Sequence, residues 1–86
     1  MVYKVLWQEE SLEDLLELPK KTASQIVTKV ETYLAQSPDK LGKPLSGRFS
    51  GLYRYRFGDY RIIYEIVKKE LHIYIVPVGH RKDVYD

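Results

Sequence analysis

Arg54, Arg56 and Arg61 are the residues whose type and spacing could do chemistry in this chain. They sit on two alternating runs joined at Gly58-Asp59, a pair that suits a tight primed turn because both residues tolerate positive φ. That turn sets 57 opposite 60, 56 opposite 61, 55 opposite 62 and 54 opposite 63. Tyr53, Tyr55, Phe57, Tyr60, Ile62 and Tyr64 then share an aromatic core face. The other face gathers the three arginines, with Arg56 directly across from Arg61. Like charges so placed cost roughly 0.2–1 kcal/mol per pair. The arrangement makes sense if an anion sits there, and a phosphate matches the donor fork of a guanidinium. A solvated face on a mildly basic protein would carry the same residues, and the hairpin alone leaves both readings open.

A second set follows the last strand. Arg81 and Tyr85 lie four apart in the tail Gly79 to Asp86, so a helical turn would put them on one side. Arg54, Arg56, Arg61, Arg81 and Tyr85 together could neutralise a phosphodiester and stack a base. Lys43, Arg48, His80 and Lys82 flank them as candidate RNA contacts. Such a site could also cut RNA, since the 2′-hydroxyl is an internal nucleophile beside the phosphorus. The protein must then orient it and stabilise the charge that builds. Tyr85 and His80 are the acid–base candidates near the patch. Each has a plainer reading: Tyr85 as a tail residue or an anchor on the sheet, His80 bonded within its turn, Arg48 capping helix carbonyls. His72, expected opposite Val67, reads as a surface histidine. No Ser-His-Asp set, paired carboxylates, phosphate loop or metal-ligand spacing occurs, so neither cofactor nor metal is expected.

The elements that must position these residues follow from pattern. Val2 to Trp7 is rich in β-branched and aromatic residues and reads as a strand. Ser11 with Asp14 resembles a capping box before Leu12, Leu15, Leu16 and Leu18, although Glu9 and Glu10 also suit a first helical turn. Pro19 ends that helix or opens the next, which runs from about Lys20 to Gln36 with Ala23, Ile26, Val27, Val30 and Leu34 as its stripe. Ser37-Pro38 stops it, and Asp39 to Gly51 reads as a loop. A last strand from Leu71 to Val78 pairs with 60–67. With 68 opposite 71, Tyr64 would meet Ile75, Glu65 would meet Tyr74 and Arg61 would meet Val78, while Pro77 marks an edge or a bulge. The expected fold is α+β, in the order β-α-α-β-β-β. Its sheet is small and mostly antiparallel, with the helical hairpin packed on the aromatic face and the arginines on the bare one.

Size and composition narrow the class. Eighty-six residues suit one domain, 1–86, and 44% hydrophobic residues argue against disorder. Without cysteine there is no disulfide framework or thiolate nucleophile, and a cytoplasmic location is expected. No apolar run is long enough to cross a bilayer, and the first residues do not read as a signal peptide. The net charge is only +2, but residues 44–86 hold all five arginines and a balance of +3 against −1 in residues 1–43. That asymmetry points to a local site for a polyanion.

Several of these features together resemble the RelE/ParE superfamily of bacterial toxins. They are the element order, Lys43-Pro44-Leu45, Gly51 with Arg54 and Arg56, Asp59-Tyr60-Arg61-Ile62-Ile63-Tyr64, and Gly79-His80-Arg81-Lys82-Asp83-Val84-Tyr85. The combination is most similar to the RelE branch and covers essentially the whole chain. The resemblance implies a toxin of a type II toxin–antitoxin system that cleaves mRNA in the ribosomal A site by 2′-hydroxyl attack, leaving a 2′,3′-cyclic phosphate. It implies that Arg61 and Arg81 clamp the scissile phosphate, that Tyr85 stacks on or activates the nucleotide, and that Arg54 and Arg56 occupy the positions of a basic pair. The family often has lysine there, which can lose a proton where arginine cannot. Proton transfer then falls to Tyr85, His80 or the ribosome. The implied partners are a RelB-like antitoxin, the ribosome and mRNA, with operator DNA reached only through the antitoxin and no membrane. A ParE-like inhibitor of DNA gyrase, a non-catalytic RNA-binding module and a RelE-like chain that has lost activity are the competing readings.

Overall fold

The computed structural model describes residues 2–75. Among the described residues five strands form one sheet in the order β1-β5-β4-β3-β2: β1 Lys4–Trp7, β2 Lys43–Pro44, β3 Tyr53–Phe57, β4 Tyr60–Val67 and β5 Glu70–Ile75. Neighbours are antiparallel except β1 with β5, which run parallel. Helices α1 (Glu9–Leu16) and α2 (Lys20–Thr32) follow β1, and a 3₁₀ turn at Leu34–Gln36 and a single-turn helix α3 (Pro38–Leu41) lead to β2. The α+β class and the helical hairpin are as the pattern predicts, with β2 and α3 in addition. Among the described residues no helix is long and apolar enough to cross a membrane.

The helix starts differ from the pattern in one respect. Gln8, in an extended conformation, precedes α1, and Glu9 and Glu10 occupy its first turn, where carboxylates oppose the helix dipole favourably. Ser11 lies inside the helix, fully buried, and donates from Oγ to the Gln8 carbonyl at 2.7 Å, so it is no cap. Pro19 stands immediately before α2, its fixed φ of −55° suiting the entry.

Ile26, Val30, Leu34 and Ala35 are fully buried against Ile62, Tyr64, Leu71 and Ile73, with Leu15 and Leu18 alongside. Tyr53, Tyr55, Phe57 and Tyr60 pack at the margin of this core, as the alternation requires. The Tyr64 hydroxyl donates to the Pro38 carbonyl at 2.7 Å inside the core. Gly42 closes over the same ring: a Cβ there would fall on the Tyr64 hydroxyl and 3.2 Å from the Arg54 carbonyl oxygen. This close approach fixes where the chain enters β2.

The hairpin register holds as expected, Phe57 opposite Tyr60 and Arg56 opposite Arg61. Gly58, at φ 61°, takes the positive-φ position of the turn. The β4–β5 register departs from expectation. Val67 pairs with Glu70, so the turn is Lys68-Lys69, Tyr64 meets Ile73, and His72 faces Glu65 where Val67 was expected. The cause is local: Lys68 adopts φ 57°, a conformation that a lysine gives no reason to expect. A register irregularity at Ile63/Tyr64 then sets Ile63 opposite Ile75. Pro77, Val78 and their expected pairings lie outside the described residues.

Candidate nucleic-acid interface

The face turned away from α1 and α2 carries the arginines. Alternation puts Arg54 and Arg56 of β3 with Arg61 and Ile63 of β4 on that side, opposite the core residues Ile62 and Tyr64. Strand β2 adds to it, because Lys43 pairs directly with Arg54. Two rows result: Lys43, Arg54 and Ile63 across three strands, and Arg56 and Arg61 across two. Lys43 reaches this place through a strand that two residues and a proline do not advertise. Arg48, expected near the site, lies exposed in a 3₁₀ turn (Gly47–Phe49), its guanidinium 5.4 Å from the Phe49 ring centre.

This face is not bare at its centre. Arg61 is 7% exposed and Ile63 fully buried, whereas Arg56 is exposed and Arg54 partly so. Ile63, apolar and on the arginine side, gives the face its own dry centre, which raises the electrostatic value of the neighbouring charges. Arg81, Tyr85, His80 and Lys82 lie outside the described residues.

Further along the face, towards β1, the charges change sign and pair. Gln8 Nε2 lies 3.3 Å from His72 Nδ1, and His72 Nε2 lies 3.1 Å from Glu70 Oε1, so both ring nitrogens have a hydrogen-bond partner. The register pairs Glu65 with His72 and not with Tyr74 as expected, and the Tyr74 hydroxyl reaches Glu65 Oε1 diagonally, donating to it at 2.7 Å. That hydrogen bond, then burial, pushes the Tyr74 hydroxyl up from its ordinary value and keeps it a donor. The His72 and Tyr74 rings lie near-parallel, 22° apart in plane and 6.5 Å between centres. Strand alternation alone places both residues on one face, and a slip of two residues leaves that face unchanged.

The arrangement offers a cationic patch of matched forks beside an aromatic strip. It suits a strand with charged phosphates and flat bases. The family described as the ParE toxin of type II toxin–antitoxin systems (parDE) matches residues 5–85. The chain belongs to this family. It is a toxin of the RelE/ParE superfamily, and its similarity to known toxins extends over its length. To toxin RelG of Mycobacterium tuberculosis it is 32% identical over 85 residues, covering 99% of this chain and 98% of the relative. To toxin RelE of the same organism it is 35% identical over 83 residues, covering 96% and 86%. Among solved structures it resembles the toxin–antitoxin complex RelBE2 of M. tuberculosis, with a TM-score of 0.89, 27% identity and coverage of 93% and 94%. The isolated Escherichia coli RelE toxin shares the fold, with a TM-score of 0.73, 20% identity and coverage of 95% and 89%.

Proposed function

We propose that this toxin is a metal-independent endoribonuclease that cleaves mRNA in the ribosomal A site and so arrests translation. The observation that carries the reading is the pairing of Arg56 with Arg61 across a two-residue hairpin, with Arg61 almost wholly buried beside Ile63. Two like charges held opposite one another on a fixed frame form a preorganised clamp for a phosphate whose charge grows during the reaction. In this reading Arg61 and Arg81 bind the scissile phosphate. Arg54 and Arg56 stabilise the charge that develops on it, because an arginine stays protonated at neutral pH and cannot act as a base. Tyr85 stacks on the nucleotide and is the first candidate for proton transfer, with His80 second. Lys43, Arg48 and Lys82 hold flanking phosphates.

The cut follows from the substrate. The 2′-oxygen attacks the adjacent phosphorus as its proton leaves, the bond to the 5′-oxygen breaks, and that oxygen takes up a proton. A 2′,3′-cyclic phosphate and a 5′-hydroxyl result, with no water consumed. In the cytoplasm such an activity is held off by a cognate RelB-like antitoxin, as the RelBE2 complex of the similar M. tuberculosis toxin suggests. Operator DNA is contacted only through that antitoxin.

A second reading is inhibition of DNA gyrase, favoured by the ParE description of the family match. Induced expression with primer extension across abundant transcripts separates the two. Cuts inside translated regions, in register with codons and absent in Arg81→Ala, are expected for the nuclease. Growth arrest with intact mRNA and damaged or relaxed DNA supports gyrase. Unchanged cleavage in Tyr85→Phe removes that tyrosine from proton transfer.

A further inference from the structure

We propose that His72 and Tyr74 form a base-stacking platform for the single-stranded RNA whose phosphate lies on the arginines. The proposal rests on the RNA reading above and adds to it a binding site on β5. Four observations carry it. Both residues project from the arginine face, since His72 pairs with Glu65 and Tyr74 bonds to that same carboxylate at 2.7 Å. Their rings lie near-parallel with centres 6.5 Å apart, close to the advance of about 6.6 Å that two strand residues give. Both side chains are partly exposed, unlike the core-face neighbours Leu71 and Ile73.

The fourth observation is that each ring is held at its polar edge. Glu65 orients Tyr74, and Gln8 and Glu70 orient His72 from the two nitrogens. A ring fixed beforehand loses little freedom when a base settles on it. None of these three bonds belongs to the fold's core, which lies on the other side of the sheet. Glu65 stands four residues from Arg61 on β4, about 13 Å at the ordinary strand rise. A short oligonucleotide spans that distance, with a phosphate at one end and bases on the rings at the other. Sheet-surface aromatics that stack successive bases are a general solution for single-stranded RNA. A β-strand that needed only a wet face would have no use for two oriented rings.

The test uses the full chain and a six-nucleotide oligoribonucleotide with 2′-O-methyl sugars, which cannot be cut by 2′-attack. Ring resonances of His72 and Tyr74 are followed by NMR as the oligonucleotide is added, and the Kd is measured by fluorescence anisotropy. Upfield shifts of both rings are expected. The Kd is expected to weaken about ten-fold in His72→Leu and in Tyr74→Leu, the order lost with one base stack, and to weaken by less in Tyr74→Phe, which keeps the ring and loses only the bond that orients it. The ring shifts are read on the unaltered chain, so a variant that fails to fold does not remove the test. Ring signals that stay in place, unchanged affinity in both leucine variants, or no binding at all would overturn the platform. Codon-register cuts in cells with unmoved ring signals would sink the platform and leave the nuclease standing. Ring shifts without any cuts would support the platform and remove the nuclease.

Discussion

Arg56 stands opposite Arg61 on a two-stranded ribbon, a placement of like charges that opposes folding. Replacing Arg56, which is exposed, with glutamine should therefore raise stability by about 0.2–1 kcal/mol in urea denaturation. If the proposed function holds, the same change lowers cleavage at least ten-fold. A gain in stability with a loss of activity is the signature of a residue kept for a ligand. This pair was legible in the sequence because a two-residue turn leaves one register only. The burial of Arg61 was not, since it depends on what surrounds Ile63 in the folded chain. Tyr64 makes the opposite case, a polar group kept for the fold. Burial, with the neighbouring Tyr53, Asp39 and Tyr55, pushes its hydroxyl well above the ordinary tyrosine value. Between those two values the unfolded chain loses this proton while the folded chain keeps it, so the unfolded state binds fewer protons and stability falls as pH rises. The contribution is complete below about pH 10 and is lost above it. Urea titrations at rising pH should show this decline, and Tyr64→Phe should flatten it. That variant should also cost roughly 1–3 kcal/mol at neutral pH by leaving the Pro38 carbonyl without its donor.

At the scale of elements, Gly42 is what lets β2 lie beside β3 and bring Lys43 next to Arg54. Gly42→Ala would drive a methyl group into the Tyr64 hydroxyl, so a loss of about 1–3 kcal/mol is expected by thermal or urea denaturation. Lys68 offers a test of the opposite sign. At φ 57° it holds a conformation that glycine adopts freely, and Lys68→Gly should leave stability unchanged or raise it by up to about 1 kcal/mol. These two positions also explain what the sequence could and could not reveal. The stripe Ile26, Val30 and Leu34 and the alternation through Tyr60, Ile62 and Tyr64 are strong periodic signals, and the helices and the core face follow from them. Strand β2 is two residues long and contains a proline, below any periodicity. The β4–β5 register was missed by two residues because the turn begins at a lysine where a glycine or asparagine would have marked it. Over Tyr64 to Val67 the slip is even, so the faces survived there and only the partners changed; past the irregularity at Ile63/Tyr64 the slip is one residue. Ser11 looked like a cap because it precedes a leucine run, but Glu9 and Glu10 extend the helix past it.

Taken whole, the fold keeps two surfaces apart: helices and aromatic core on one side of the sheet, a cationic hairpin and aromatic strip on the other. In the proposed reading this frame presents a fixed clamp to a flexible strand. The most direct test of the central claim uses purified toxin with ribosomes programmed by a defined mRNA and a vacant A site. The end groups of the fragments are then analysed for wild type, Arg61→Gln and Arg56→Gln. The expected result is a cut within the A-site codon, with a 2′,3′-cyclic phosphate and a 5′-hydroxyl, insensitive to chelation of divalent metal beyond what keeps the ribosome intact and reduced at least ten-fold in both variants. Intact mRNA with the wild-type toxin, or equal cutting by all three proteins, would contradict the account.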